Sequence, residues 1–285
     1  MKYLIVNADD FGIHTDVNKG IIKAYNEGCL TSTSLISVGK AAEEAAELAI
    51  ENPGLGVGLH FTLVAEKPAL PVDKVSTLVD DNGYFFPDHV AFIKRFLLGK
   101  IDLSQLQNEC EAQITKAEKL GVSITHIDSH QHLHVLPHLS NICFDIAKRH
   151  NINKMRFPGE NVFFKGNYPV SIGRMLARDG LTVCAKLARF HGKKEHFTMP
   201  DYFFGMVAGG NLLEKYFMSI LSSLPENKVS EIMIHPGINN RTVDNIYHWH
   251  YHWEEELQSL LSCKAKKFIG DNNIKLISYK ELSNE

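Results

Sequence analysis

Five of the chain's fifteen histidines, His126, His130, His132, His134 and His138, fall within thirteen residues, with Asp128 among them. Imidazole and carboxylate at that density are the side chains that hold a divalent metal or move protons beside one. Two further segments offer the same chemistry. Leu4-Ile-Val-Asn-Ala-Asp9-Asp10-Phe-Gly12 ends an apolar run on adjacent aspartates, and Gly56-Val-Gly-Leu-His60-Phe61 ends one on a histidine. A carboxylate leaving water needs a cation or several hydrogen bonds, so two at the end of an apolar strand ask for a partner. Successive strand residues face opposite sides, which would give Asp9 and Asp10 different tasks, one on a metal and one free as a base. Within the histidine cluster, one histidine serves as a ligand, while Asp128 and another histidine orient it or touch substrate. A fourth segment, Glu231-Ile-Met-Ile-His-Pro-Gly237, delivers His235, a side chain suited to general acid work near neutral pH.

These residues need elements that bring them together, and the pattern between them supplies βα repetition. Strands are expected over 3–6, 31–37, 55–61, 122–128, 154–157, 231–235 and 275–278, with helices over 17–27, 41–51, 104–120, 211–223 and 254–261. Ser104 is the expected N-cap of the third helix, and Gly121 suits the residue just past its end. Small Gly56 and Gly58 let the opposite chain approach His60 closely. The segments 67–87 and 191–210 lack periodicity and are expected to be long loops over the pocket. The result is an α/β fold, a distorted TIM-barrel-like (β/α) barrel in one domain over 1–285, with its site at the carboxyl ends of the strands.

Thirty basic residues nearly balance thirty-three acidic ones, giving a net charge of −3. No field of one sign draws in nucleic acid or an anionic membrane, and a neutral small substrate fits better. Five widely spaced cysteines without a C-x-x-C pair argue against a disulfide framework or a zinc ribbon and for a cytoplasmic setting. No segment has the roughly 20 apolar residues of a spanning helix. Nucleotide-binding and serine-hydrolase glycine motifs are absent. The run Tyr247-His-Trp-His-Tyr-His-Trp253 alternates aromatics with histidines and suits a sugar-stacking lid, a packed aromatic edge or a homodimer contact.

Taken in order, Val6-Asn-Ala-Asp-Asp-Phe-Gly12, Gly58-Leu-His60, Thr125-His-Ile-Asp-Ser-His-Gln-His-Leu-His134 and Ile234-His-Pro-Gly237 resemble the YdjC-type carbohydrate deacetylases, the chitooligosaccharide deacetylase family. Weaker likeness extends to Lys154-Met-Arg-Phe-Pro158, Asp201-Tyr-Phe-Phe-Gly205 and Leu276-Ile-Ser-Tyr279. The resemblance implies a divalent metal on Asp10, His60 and His130, with Asp9 as base and His235 as acid. It implies an N-acetylated sugar as substrate, which we expect to meet Asp128, His132, Arg156 and Asp201. One departure is Trp253, where the family pattern leads us to expect an arginine. The resemblance implies magnesium, whereas two imidazoles and a carboxylate also accept zinc, manganese, cobalt or ferrous iron. Rival readings are a metal-dependent phosphoesterase, with Arg156 as its phosphate clamp, and a non-catalytic sugar-binding protein.

Overall fold

The computed structural model describes residues 1–164 and 168–283. Seven parallel strands form one sheet: β1 (Lys2–Phe11), β2 (Ser32–Leu35), β3 (Gly56–Phe61), β4 (Ile124–Ser129), β5 (Tyr202–Phe204), β6 (Val229–Ile234) and β7 (Ile274–Leu276). Their order is β4-β3-β2-β1-β6-β5, with β7 paired to the first residues of β1. The sheet curls into a half-barrel. Its open side, between β4 and β5, is crossed by single bridges, Ile127 to Met155 and Lys154 to Thr198. The strand expected over 154–157 is therefore reduced to those bridges, since Pro158 has no N–H with which to extend a ladder.

Helices α1 (Thr15–Glu27), α2 (Ala42–Glu51), α3 (His89–Leu97), α4 (Leu103–Lys119), α5 (Leu139–Arg149), α6 (Ile172–Lys194), α7 (Glu214–Ser223), α8 (Asn240–Tyr247), α9 (Trp253–Leu261) and α10 (Cys263–Asp271) surround the sheet. None of them is long and apolar enough to cross a membrane. A continuous apolar cluster runs from Leu4 to Ile274 between sheet and helices. Close contact at one point needs glycine on both partners: a Cβ on Gly20 of α1 would lie 2.4 Å from Cα of Gly237, in the turn after β6. That approach seats the turn carrying His235 directly on α1.

Two expectations need correction. Asp102, not Ser104, caps α4; its carboxylate accepts from the N–H groups of Ser104 and Gln105, and its charge suits the positive helix end. The 191–210 segment is not all loop: α6 reaches Lys194, and β5 follows at Tyr202–Phe204. Gly173 and Gly180 mask α6 in the sequence, and its start is fixed by the Ser171 hydroxyl, which accepts from Arg174 N–H. The 67–87 segment is a long loop as expected, with one 3-10 turn (Val72–Lys74), and is tied down by Glu109, whose oxygens accept from the N–H groups of Ala69 and Leu70.

The barrel interior is polar at its centre. Arg156, fully enclosed, aims Nη1 and Nη2 at the two oxygens of Asp9, each at 2.7 Å, and Nε at Glu231 Oε1 at 2.8 Å. Its Nη1 also lies 2.8 Å from Asp128 Oδ2. The Tyr279 hydroxyl donates to Glu231 Oε2 at 2.6 Å, and its ring stacks on His126 with centroids 3.6 Å apart. Ser34 donates to Asp128 Oδ2 at 2.7 Å, and Asn7 donates to Asp9 Oδ1 at 3.0 Å and to Ser34 at 2.9 Å. One guanidinium thus serves carboxylates from β1, β4 and β6. We expect Arg156→Leu to lower stability by about 3–5 kcal/mol, the usual result of stranding buried charges. Urea denaturation at neutral pH measures this, and a loss under about 1 kcal/mol would show that those carboxylates need no counter-charge.

Candidate active site

The site begins with a break in strand geometry. The register between β1 and β2 shifts between Ala8 and Phe11, and Asp10 takes φ 68°, the left-handed conformation that aspartate tolerates better than most residues. Alternation is lost there. Contrary to the expectation of opposite faces, Asp9 and Asp10 both approach one ring: His60 Nε2 is 3.9 Å from Asp9 Oδ2 and 3.5 Å from Asp10 Oδ1. The bulge brings the two carboxylates to one pocket.

His60 arrives from the end of β3, and its Nδ1 lies 2.7 Å from Asp128 Oδ1 on the neighbouring strand β4. A proton on Nδ1 leaves Nε2 as a lone pair aimed at the two aspartates. Packing holds the strands to this spacing: a Cβ on Gly58 would sit 2.4 Å from the His126 ring. His130 follows β4 directly, in a 3-10 turn (His130–Val135) opened by left-handed residues at Gln131 and His132. That turn points His130 Nδ1 at Asp10 Oδ1, at 2.9 Å.

One atom from each of Asp10, His60 and His130 lies within 4.8 Å of the other two. Asp10 Oδ2 and His130 Nε2 are buried without a hydrogen-bond partner, so each keeps a polar atom that a bound ion could satisfy. Four carboxylates, Asp9, Asp10, Asp128 and Glu231, are buried in and beneath this cluster, with Arg156 as the guanidinium among them. Burial alone would raise the Asp10 pKa, but His130, His235 and His60 hold it well below the usual carboxylate range. Burial opposes a charge on His60 as well, yet Asp128, Asp9 and Asp10 raise its pKa. The surplus of negative charge suits a bound cation. Two imidazoles and a carboxylate, with Asp128 orienting one imidazole, fit a divalent ion with open positions.

Around this cluster stand groups that can act on a substrate. His235 follows β6; its Nδ1 lies 3.5 Å from Glu256 Oε2, near enough for attraction but too far for a strong hydrogen bond. Burial disfavours its charge, and the Glu256, Asp10 and Asp9 carboxylates overcome that and raise the pKa to about 9. The run 247–253 splits by side. Tyr247, Trp249 and Tyr251 are half-buried, with successive ring centroids 4.7 and 5.6 Å apart, while His248, His250 and His252 are exposed. Trp249 lies 5.0 Å from the His130 ring and Tyr251 lies 4.9 Å from the His235 ring. Opposite them, Glu66 Oε1 accepts from the Tyr247 hydroxyl at 2.9 Å, and burial raises the Glu66 pKa.

Not every anticipated substrate contact lies in this cleft. Arg156 is sealed in the barrel and held by three carboxylates, so it offers no clamp to a phosphate or a sugar. Asp128, also fully enclosed, acts on His60 and Ser34 instead. Asp201 is at the opposite end of the sheet, accepting from Val229 N–H at 3.0 Å. His132 is buried edge-on to Phe203, with centroids 5.8 Å apart. Trp253 is core rather than cleft, packed under Gly237. His134 is structural, bridging Ser129 and the Arg156 carbonyl. Sequence reasoning missed Glu231, Tyr279, Glu256 and Glu66. Glu231 could have been found, because period two puts it on the same face as His235.

The chain is similar to known proteins over nearly its whole length. The family model described as YdjC-like protein matches residues 3–271. A carbohydrate deacetylase from Thermoanaerobacter pseudethanolicus is 34% identical over 282 residues, covering 98% of both chains. A carbohydrate deacetylase from Brevibacillus brevis is 30% identical, covering 98% of this chain and 99% of its own. The crystal structure of an Enterococcus faecalis V583 protein, provisionally assigned to cellobiose-phosphate cleavage, superposes with a TM-score of 0.79 at 28% identity, covering 99% of each chain. With the match running through β1, β3, β4 and β6 and the side chains they deliver, the chain belongs to the YdjC-like protein family.

Proposed function

We propose that this protein is a metal-dependent deacetylase, a single-domain hydrolase that removes acetyl groups from N-acetylated amino sugars. The observation that carries the reading is the convergence of Asp9 and His235 on the Asp10, His60 and His130 cluster. A divalent ion held by those three would acidify water and polarise an acyl carbonyl oxygen. The nitrogen-rich donor set suits zinc, manganese, cobalt or ferrous iron better than magnesium, which prefers oxygen.

Asp9 accepts the proton as water attacks the acetyl carbon. Both guanidinium contacts from Arg156 fix the orientation of its carboxylate, and Oδ2 accepts from Arg156 while keeping a further lone pair. His235 carries a proton at neutral pH and gives it to the sugar nitrogen as the C–N bond breaks. The products are acetate and a free amine. The half-buried faces of Trp249 and Tyr251 suit the apolar C–H surface of a sugar ring, and the Glu66–Tyr247 pair can receive its hydroxyls. The carbohydrate deacetylase relatives support that substrate class. A phosphoesterase would want a free cation beside the pocket, and Arg156 is enclosed.

Acetate release from diacetylchitobiose by metal-stripped protein, with each divalent ion restored in turn, tests the reaction, and elemental analysis of protein purified without added metal identifies the ion. Asp9→Asn should retain metal and lose turnover by about 10²–10⁴-fold, the scale of general base catalysis, whereas His130→Ala should lose both. Unimpaired turnover in Asp9→Asn would remove that residue from the role of base. His235 acts as an acid only while protonated, and Glu256 raises its pKa, so activity should fall as pH rises through an alkaline limb set by that pair. Glu256→Gln removes a charge that raises this pKa, and the alkaline limb of the kcat profile should move down by about one unit or more. A limb that stays in place would exclude His235 as the titrating acid.

A further inference from the structure

At the end of the barrel opposite the cleft, a cavity of about 530 Å³ opens between the first residues of β1, β6 and β7 and the last turns of α6. Four cationic side chains line it: Arg189, Lys193, Lys228 and Lys275. The acids there, Asp201 and Glu281, are already engaged. Asp201 accepts from Val229 N–H and pairs with Lys228 at 3.4 Å, and Glu281 accepts from the Ser278 N–H at 2.8 Å. Among the described residues, Arg189, Lys193 and Lys275 form no ion pair with a carboxylate.

Arg189 is the informative member. It is half-buried, its Nη1 donates to the Pro200 carbonyl at 2.7 Å, and its charge is offset only in part, by Asp201, which is itself paired with Lys228. Burial acts against the charged form, and the fold holds it there regardless. An arginine with a fixed orientation and free donors, flanked by lysines, is the arrangement that recognises phosphate oxygens. The remaining lining is mixed: Tyr3, Phe197, Met199 and Ile277 form an apolar side, and Asn227 and Ser283 add polar groups. The volume is within the range of small-ligand sites and larger than a bare phosphate needs.

We propose that this cavity is a second binding site, distinct from the catalytic cleft, for a small phosphate-bearing anion whose phosphate meets Arg189, Lys193 and Lys275. The apolar lining gives a sugar attached to that phosphate a surface to rest on. The site stands independently of the deacetylase reading, since it shares no side chain with it.

Calorimetric titration of the full chain with inorganic phosphate, glucosamine 6-phosphate and glucosamine, at constant ionic strength, tests it. Both phosphate-bearing ligands should bind and glucosamine should not. Tighter binding of the sugar phosphate would assign the apolar lining to the sugar, and equal binding would assign the site to free phosphate. Arg189→Gln with Lys275→Gln should weaken binding about tenfold or more, as expected for lost charge-assisted hydrogen bonds. Lys193→Gln, an exposed single change, gives a smaller loss if the double variant melts early. Phosphate binding that is undetectable, or that survives these substitutions unchanged, would overturn the proposal.

Discussion

The guanidinium of Arg156 is the constraint on which the barrel depends. A barrel interior is ordinarily filled by branched aliphatic side chains. Here its centre holds Asp9, Asp128 and Glu231 around one arginine, and each carboxylate comes from a different strand. Any one of these charges would be costly alone, and the cluster is tolerable because bidentate geometry and added hydrogen bonds from Asn7, Ser34 and Tyr279 satisfy the remaining lone pairs. Burial raises the Glu231 pKa to about 7 against the pull of Arg156. The same contacts that make the interior stable also fix Asp9, so the fold and the candidate base have a common support.

From that support the site rises in two tiers. Asp128 is held below by Ser34 and Arg156, and above it aligns His60; His60 in turn meets Asp9 and Asp10. Local backbone departures complete the upper tier. Asp10, Gln131 and His132 all have positive φ, and each lies within the two short segments that deliver donor atoms. Strain of this kind persists where surrounding structure over-determines it, and here the polar interior and the close packing at Gly58 do so.

Much of this was legible in the sequence, for physical reasons that differ by residue. Asp10, His60 and His235 each follow a mostly apolar run, a local signal of a strand, whereas His130 stood out through the density of histidines around it and the family resemblance. The helices with unbroken apolar spacing, α1, α2 and α4, were equally readable. What local pattern does not carry is the path of a side chain after a strand ends. The bulge at Asp9–Asp10 reverses a side-chain direction that alternation predicted, and the 3-10 turn separates His130 from His132 and His134. Arg156 read as a substrate contact because nothing within the sequence around it shows the three carboxylates, 147, 28 and 75 residues away, that enclose it. α6 was hidden by its glycines, and Asp201 by its position on the wrong end of a short strand.

The split of this constellation along the chain has a consequence for how the protein is made. All three donor side chains, Asp10, His60 and His130, lie in the first 130 residues, whereas the groups that steady Asp9 arrive at residues 156, 231 and 279. Translation delivers the amino-terminal side first, at about 5–20 residues per second. A nascent chain therefore possesses every candidate ligand seconds before Tyr279 can close the network beneath the base. The candidate ligand set is thus complete on the chain before the network beneath the candidate base, and the contact between Tyr279 and Glu231 ties the segment after β7 into that network.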